Sequence, residues 1–442
     1  MHILLIFSLF YFLIFAGCYI LISRRRDNLS IEKNAQWIFY TFLAIGFILR
    51  VILATLIKGH TIDITNFGSW AIHVANRGLP YFYVGIPFAD YPPGYIYVLY
   101  LIGLMQKLFS ISRDSSLFLL MLKLPSIITD LIATNLIHSL SIKKTKRANA
   151  LLLSFVFLFN PAIILNSSIW GQVDSFFTIF IILMIIYLIN EKFTAASIFS
   201  FVALLVKPQA LIFMPVLVFS LISTKDFRII IKSIAYGILT FILGVLPFSI
   251  IQGAFFIFKK YFDTLSSYPY VTLNAANIYA LFGKNWAIDS EKFLFIPFRI
   301  WGIISILLIT IWIATLCIKN KVKENLSLIA LMLVTAVFVF GIRMHERYLY
   351  PALPLSLISF IFIQDKSLFL LYGALSITHF LNTGYVFILS LKDIYYIPGC
   401  DPFFLSIALL NVFFSGWLIR MVMSNLMCSG RNASCISWRN GE

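Results

Sequence analysis

Apolar runs of roughly 20 residues, the length that crosses a bilayer, recur from one end of the chain to the other, with short polar breaks between them. Seven breaks hold the basic residues: 24–36, 142–148, 190–193, 224–232, 319–325, 364–367 and 425–442. Lys and Arg gather in the cytoplasmic loops of membrane proteins, so all seven are placed on that side. The placement carries one condition. The apolar stretch 94–109 must not cross, or the tract Lys143-Lys144-Thr145-Lys146-Arg147 would be forced outside. That stretch carries Gln106 and Lys107 and follows a Pro-Pro-Gly break, as suits a juxtamembrane helix dipping into the outer leaflet.

The expected spans are then 2–23, 37–58, 117–141, 149–166, 175–190, 194–206, 208–223, 233–251, 294–318, 326–342, 349–363, 368–390 and 403–424. The predicted fold is all-α: a polytopic transmembrane bundle of about thirteen spans, with a long first outer loop carrying juxtamembrane helices. Residues 1–36 read as an extra N-terminal anchor span with a basic cytoplasmic loop, 37–424 as the main transmembrane domain, and 425–442 as a cytoplasmic tail. The triplet Arg24-Arg25-Arg26 follows the first apolar run rather than preceding it. That order predicts a retained anchor with its N-terminus outside. Two outer loops, 59–116 and 252–293, are long. Connections made only for geometry stay short, so long ones point to function.

Composition agrees. Of 442 residues, 61% are hydrophobic and 12% charged, and mean hydropathy is +0.94. That is too little polar surface to dissolve a fold of this length, since soluble domains carry roughly 25% charged residues. The net charge of +16 does not imply a nucleic-acid partner, because the cations sit in short loops between spans. The five cysteines, Cys18, Cys317, Cys400, Cys428 and Cys435, have no metal-ligand or paired spacing.

The topology places nearly every unusual polar cluster on the outer face. Asp63 opens the first long loop; Asp90-Tyr91-Pro92-Pro93-Gly94 follows within it. Trp170-Gly171-Gln172-Val173-Asp174, Lys207-Pro208-Gln209 and Arg343-Met344-His345-Glu346-Arg347-Tyr348 lie at span ends. Ionisable groups at membrane boundaries are costly and mark function. Asp63 alone reads equally as a helix N-cap or as a base at the mouth of the bundle. Two prolines make the Asp90 segment rigid, which suits sugar binding or loop positioning. Trp170 alone reads equally as an interfacial belt residue, but the amide of Gln172 and the carboxylate of Asp174 beside its aromatic face tip the reading towards a sugar. Lys207 alone could snorkel. Three ionisable groups at His345, Glu346 and Arg347 are harder to explain that way, and grouped cations suit a phosphate. Lys123 and Asp130, seven residues apart in one span, share a helix face and read as structural.

Taken in order, Asp63 with Phe67 and Trp70, Asp90-Tyr91-Pro92-Pro93-Gly94, Leu122-Lys123-Leu124-Pro125 with Asp130, Asn160-Pro161, Trp170-Gly171-Gln172-Val173-Asp174, Val206-Lys207-Pro208-Gln209 and His345-Glu346-Arg347-Tyr348 resemble the prokaryotic relatives of the GPI-anchor mannosyltransferases, in the type C glycosyltransferase superfamily. The resemblance covers residues 37–360. It implies a polyprenyl- or dolichyl-phosphate sugar donor, an acceptor reached from the outer face, inversion at the anomeric carbon, and an essential first-loop carboxylate that falls on Asp63. Many relatives pair two acids there. Here Ile64 and Thr65 follow Asp63, so no metal or other cofactor is expected.

The expected activity is therefore transfer of a sugar, with mannose implied, to a hydroxyl on a glycan, lipid or protein, in a prokaryotic plasma membrane. Asp63 would take the proton, and Arg347, His345 and Lys207 would stabilise the leaving lipid phosphate. Asp90, Tyr91, Trp170, Gln172, Asp174, Gln209 and Glu346 would hold substrate. A glycan ligase or polymerase using a lipid diphosphate would share this outer-face chemistry. A transporter or flippase would explain the many spans, but it predicts internal repeats and none is visible. A membrane scaffold would need none of these motifs.

Overall fold

The computed structural model describes residues 1–23, 29–86, 88–319 and 322–428, and the side chains of 29–33 and 425–428 are left aside. The triplet Arg24-Arg25-Arg26, part of the 319–325 loop and most of the basic tail, with Cys435, lie outside the described residues. In chain order the helices are α1 (His2–Ser23), α2 (Leu29–Leu56), α3 (Thr61–Arg77), α4 (Pro93–Leu108), α5 (Ser116–Lys144), α6 (Arg147–Leu158), α7 (Pro161–Ile164), α8 (Asp174–Ile189) and α9 (Phe193–Val206). They continue as α10 (Met214–Ser223), α11 (Phe227–Gln252), α12 (Phe256–Ser266), α13 (Ile278–Leu281), α14 (Phe298–Lys319), α15 (Asn325–Phe340), α16 (Ala352–Ile363), α17 (Lys366–Ser390) and α18 (Pro402–Cys428).

Each expected span is a helix or a bent helix pair. Among the described residues six of them, α1, α2, α5, α11, α14 and α18, are long and apolar enough to cross a membrane, and α6 with α7 and the turn after it makes a seventh, bent by 43°. The bend falls at Asn160-Pro161. Asn160 accepts from the amide of Ala162 and starts a new helix, while Pro161 has no N–H to continue the old one. Helices α8, α9, α15 and α16, and α10 with the 3-10 turn Pro208–Phe213, are shorter apolar helices of 10–17 residues. Helix α17 has 25 residues but buries His379, Asn382 and Thr383 along its length. The chain is a multi-pass membrane protein.

Burial sorts these helices. α15 is apolar all round and buried from Asn325 to Val339, the pattern of a central helix. α11 is equally apolar, yet Ile234, Ile238, Ile242, Leu246 and Ile250 are exposed. Such a surface suits lipid rather than water. Capping marks the starts: Asp226 accepts from Arg228 and Ile229 before α11, and Asp365 accepts from Ser367 before α17.

The first long loop forms α3 and α4, which pack face to face. A Cβ on Gly103 would fall 2.0 Å from the carbonyl oxygen of Ala71, so only glycine permits that approach. The second loop forms α12 and α13 and supplies one strand to each of two short strand pairs. β1 (Thr272–Leu273) lies parallel to β4 (Met344–His345), and β2 (Lys292–Phe293) pairs with β3 (Ile296–Pro297). The all-α expectation is thereby refined by two small sheets, and the β1–β4 pair ties the second loop to the His345 segment.

Lys123 and Asp130 do not meet one another. The Lys123 ammonium donates to the carbonyls of Ala54, Ile57, Ser168 and Ile169 at 2.6–3.3 Å. Asp130 accepts from Arg50 at 3.1 Å, Ser167 at 2.6 Å and Tyr350 at 3.2 Å. Both hold α2, α5 and the turn after α7 together, the structural role their spacing suggested.

Candidate active site

The site forms where that turn, a π-helical Leu165–Trp170, meets the start of α3. Gly171 ends the turn in the left-handed region at φ 87°. A Cβ there would also lie 2.5 Å from Ile64. The reversal at Gly171 aims the side chains on either side of it at one oxygen. Trp170 Nε1 and Gln172 Nε2 each donate to Oδ2 of Asp63 at 2.7 Å. His60 Nδ1 lies 3.1 Å from the same oxygen, and its ring stacks on Trp170 at 4.9 Å and 14°. Among the described residues no hydrogen bond holds Oδ1. One oxygen of Asp63 is anchored and the other is free.

Burial favours the neutral acid at Asp63, but His60, the charge of Arg347 and the Trp170 hydrogen bond outweigh it and hold the carboxyl below its usual range. Asp90 is the opposite case. Burial first, then the nearby charge of Asp63, push its carboxyl up, and among the described residues its carboxylate has no side-chain hydrogen-bond partner.

Asp90 lines a cavity of about 540 Å³ together with Tyr91, Lys207, Gln209, His345 and Arg347. Beyond this polar end the walls turn apolar: Leu211, Ile212, Ile303, Ile306, Leu333 and Val337, from the 3-10 turn and helices α14 and α15. A charged head and a greasy trench share one space. Arg347 donates from Nη1 to Glu346 at 2.8 Å, while its buried Nε has no partner among the described residues. Gln209 donates to the Tyr348 hydroxyl at 2.7 Å, and its Oε1 is likewise buried and unpartnered.

The expected site residues separate into two groups. Asp90, Tyr91, Lys207, Gln209, His345 and Arg347 line the cavity. Trp170 and Gln172 are at most 1% exposed and touch Asp63 instead, so their place in the structure is behind the carboxylate. Asp174 is also buried, accepting from Lys207 at 2.5 Å and Asn166 at 2.8 Å. Lys207 is thus already paired, although it also lies over the Tyr91 ring at 5.5 Å. Glu346 is consumed by Arg347. Burial, and then the Arg347 charge, press the His345 pKa well below its ordinary value, so its imidazole is neutral and offers a hydrogen bond rather than a charge.

Several residues at the site carried no individual signal in the sequence. His60 is a lone histidine before a helix. Arg299, in the first turn of α14, and Tyr268, from the second long loop, line the cavity; Tyr268 meets His345 edge-on at 5.1 Å. Arg343 looked like part of the cationic run. It is tied to Asp289, with Nε at 2.8 Å, and to the Leu265 carbonyl at 2.8 Å, so it clamps the second loop. Among the described residues no cluster of three His, Cys, Asp or Glu could hold a metal ion.

A multi-pass membrane protein with a charged, polar-headed trench is built for an amphipathic substrate. Asp63 itself is not among the residues lining the trench, although its charge acts on both Asp90 and Arg347 at the polar end. The model of glycosyltransferase family 87 matches residues 88–341, more than half of the chain, and the protein belongs to that family. It is a glycosyltransferase. The matched stretch contains Asp90, the Trp170–Asp174 segment and Lys207, whereas Asp63 and His345–Arg347 lie outside it and join it in space. No curated protein matches the chain.

Proposed function

We propose that the enzyme transfers a sugar from a polyprenyl- or dolichyl-monophosphate donor to an acceptor hydroxyl at the outer face of the membrane, with inversion. The observation that carries this reading is the single cavity in which Arg347 and its unpartnered Nε sit at one end and an apolar trench runs between α10, α14 and α15. A lipid phosphate sugar has that same division. Its phosphate would take donors from Arg347, with His345 and Gln209 as neutral partners, and its isoprenoid chain would lie along Ile303, Ile306 and Val337. Arginine suits the phosphate because its planar fork can address two oxygens.

In the reaction the acceptor oxygen forms a bond to the anomeric carbon as the bond from that carbon to the phosphate oxygen breaks. The electron pair leaves with the lipid phosphate, and the acceptor proton passes to Oδ1 of Asp63. A single displacement of this kind inverts the anomeric centre. Asp63 is held in its charged form below the usual carboxylate range and oriented by the Trp170 and Gln172 donors, so it is ready without reorganisation. The Arg347 cation meets the charge that grows on the leaving phosphate. Mannose as the sugar, and a prokaryotic plasma membrane as the setting, rest on the motif resemblance.

Asp90 provides a second reading of the base. Its raised pKa and unpartnered carboxylate make it the stronger proton acceptor of the two, and it faces the cavity directly. The donor class is tested with purified protein and labelled sugar presented on a polyprenyl monophosphate, a polyprenyl diphosphate and a nucleotide. Transfer from the monophosphate alone is expected. Transfer from the diphosphate with none from the monophosphate would replace this reading with that of a glycan ligase or polymerase.

A further inference from the structure

Asp90 and Thr264 line two cavities, not one. Behind them, away from the trench, lies a second space of about 300 Å³ between the first outer loop and α12. The threonine hydroxyl donates to the Asp90 carbonyl at 3.2 Å, so this thin wall is held by the second outer loop. A molecule in the rear cavity would be separated from the donor only by the Asp90 segment.

The rear cavity differs chemically from the trench. Its charged lining is Lys259 and Lys260 against Asp90 and Asp263, two of each sign. An anion site would carry a surplus of cations, and an apolar pocket would carry none of these groups. Gln252 and Ser267 add further donors and acceptors, and Tyr83 and Phe256 supply ring faces. Lys260 is held 5.4 Å above the Tyr83 ring. No acid lies within ion-pair distance of Lys259 or Lys260 among the described residues, so their N–H groups are available. Balanced charge, dense hydrogen-bonding capacity and aromatic rings together suit an uncharged polyol. The volume is at the small end for ligand sites, which run from about 300 Å³ upward, enough for a terminal sugar and little more.

We infer that this rear cavity is the acceptor subsite and that it takes the terminal sugar of a neutral glycan, whose attacking hydroxyl passes the Asp90–Thr264 wall into the donor cavity. The rest of the glycan leaves past Lys259 and Asp263, both exposed on α12. This assignment rests on the reading that the trench holds the donor.

The test uses the full chain in detergent with its five native cysteines replaced and Ser267→Cys as reporter, labelled by an impermeant maleimide. The probes are the methyl glycosides of mannose, glucose and galactose, methyl glucuronide, and glycerol phosphate. At least one neutral glycoside should slow labelling, and the two anions should protect less well. Lys260→Met should weaken that protection roughly ten- to a hundredfold, the loss expected for a hydrogen bond to a charged group. Lys260→Arg should retain most of it. Binding of polyprenyl phosphate, measured in the same preparations, should be unchanged by either variant. Stronger protection by glucuronide or glycerol phosphate would overturn the neutral-glycan assignment. No protection by any probe, with polyprenyl phosphate still bound, would overturn the subsite itself. Protection by a glycoside with no binding of polyprenyl phosphate would uphold the rear cavity and bring down the donor reading instead.

Discussion

The indole N–H of Trp170 reaches Oδ2 of Asp63 at 2.7 Å across 107 residues of chain. That bond joins the turn after α7 to the first residues of α3, and Gln172 repeats it from the other side of Gly171. An ionised carboxylate held this way is stabilised in its charged form. Its position is set by side chains that do not themselves line the cavity headed by Arg347.

Trp170→Phe keeps the ring and removes one donor. A lost hydrogen bond to a charged group is worth roughly 1.5–3 kcal/mol, or about one to two pKa units. The Asp63 pKa lies below its usual value, so removing a donor must raise it. The acid limb of the kcat/KM profile should therefore move towards neutral pH if Asp63 is the base. Stability follows the same sign. The folded pKa is depressed, so the contribution is present above the unfolded value of about 3.9 and lost as pH falls through the folded one. An acid limb that stays in place in the variant would remove Asp63 from the proton transfer.

Arg347→Lys keeps a charge beside Glu346 and loses the planar fork. Donor KM should rise roughly ten- to a hundredfold, with acceptor KM little changed and the unfolding temperature near wild type. Unaltered donor kinetics would place Arg347 outside the phosphate site and leave its pairing with Glu346 as its role.

The Lys207–Asp174 pair is 3% exposed on each side, which makes a partner-loss experiment informative. Lys207→Met alone leaves a buried carboxylate unpaired and should cost about 3–5 kcal/mol. The double change Lys207→Met with Asp174→Leu should recover most of that in thermal unfolding of the purified protein. If the double variant also keeps wild-type donor KM, Lys207 serves the fold and not the phosphate.

The polar residues were legible one by one, and their grouping was not. Hydropathy reports depth in the membrane, so Asp63, Asp90, Trp170–Asp174 and His345–Arg347 could be read as sharing a face. It says nothing of lateral neighbours. Trp170 and Gln172 were expected against a sugar because nothing in their spacing points to Asp63; the left-handed turn at Gly171 does that. Lys207 reads as a phosphate ligand because its partner Asp174 sits at the start of α8, two helices back and 33 residues earlier. The pairing of β1 with β4 spans two residues, too few to show alternation. The helices themselves followed from apolar runs and caps, which are local.

Residue Ser112 tests the placement of α4. It is exposed beyond the end of that helix, and the charge rule puts it outside. In a background without native cysteines, Ser112→Cys should react with an impermeant thiol reagent added to intact cells. Reaction only after permeabilisation would mean that α4 crosses, and the faces assigned before α5 would be reversed.

The choice between the two carboxylates decides the mechanism. Asn replaces Asp with almost the same shape, and its carbonyl oxygen can still accept from Trp170 and Gln172, but it takes up no proton at neutral pH. Asp63→Asn should therefore fold and bind polyprenyl phosphate, yet lose transfer by roughly a hundredfold or more, the usual contribution of a general base. Asp90→Asn should fall less, through weaker binding, because Asp90 forms the wall between two cavities and is not anchored for proton transfer. Both are measured as transfer of labelled sugar by purified protein, with donor binding alongside. Near-normal turnover in Asp63→Asn with none in Asp90→Asn would move the base to Asp90, where the raised pKa and free carboxylate already fit it. Full activity in both would end the carboxylate mechanism for this enzyme.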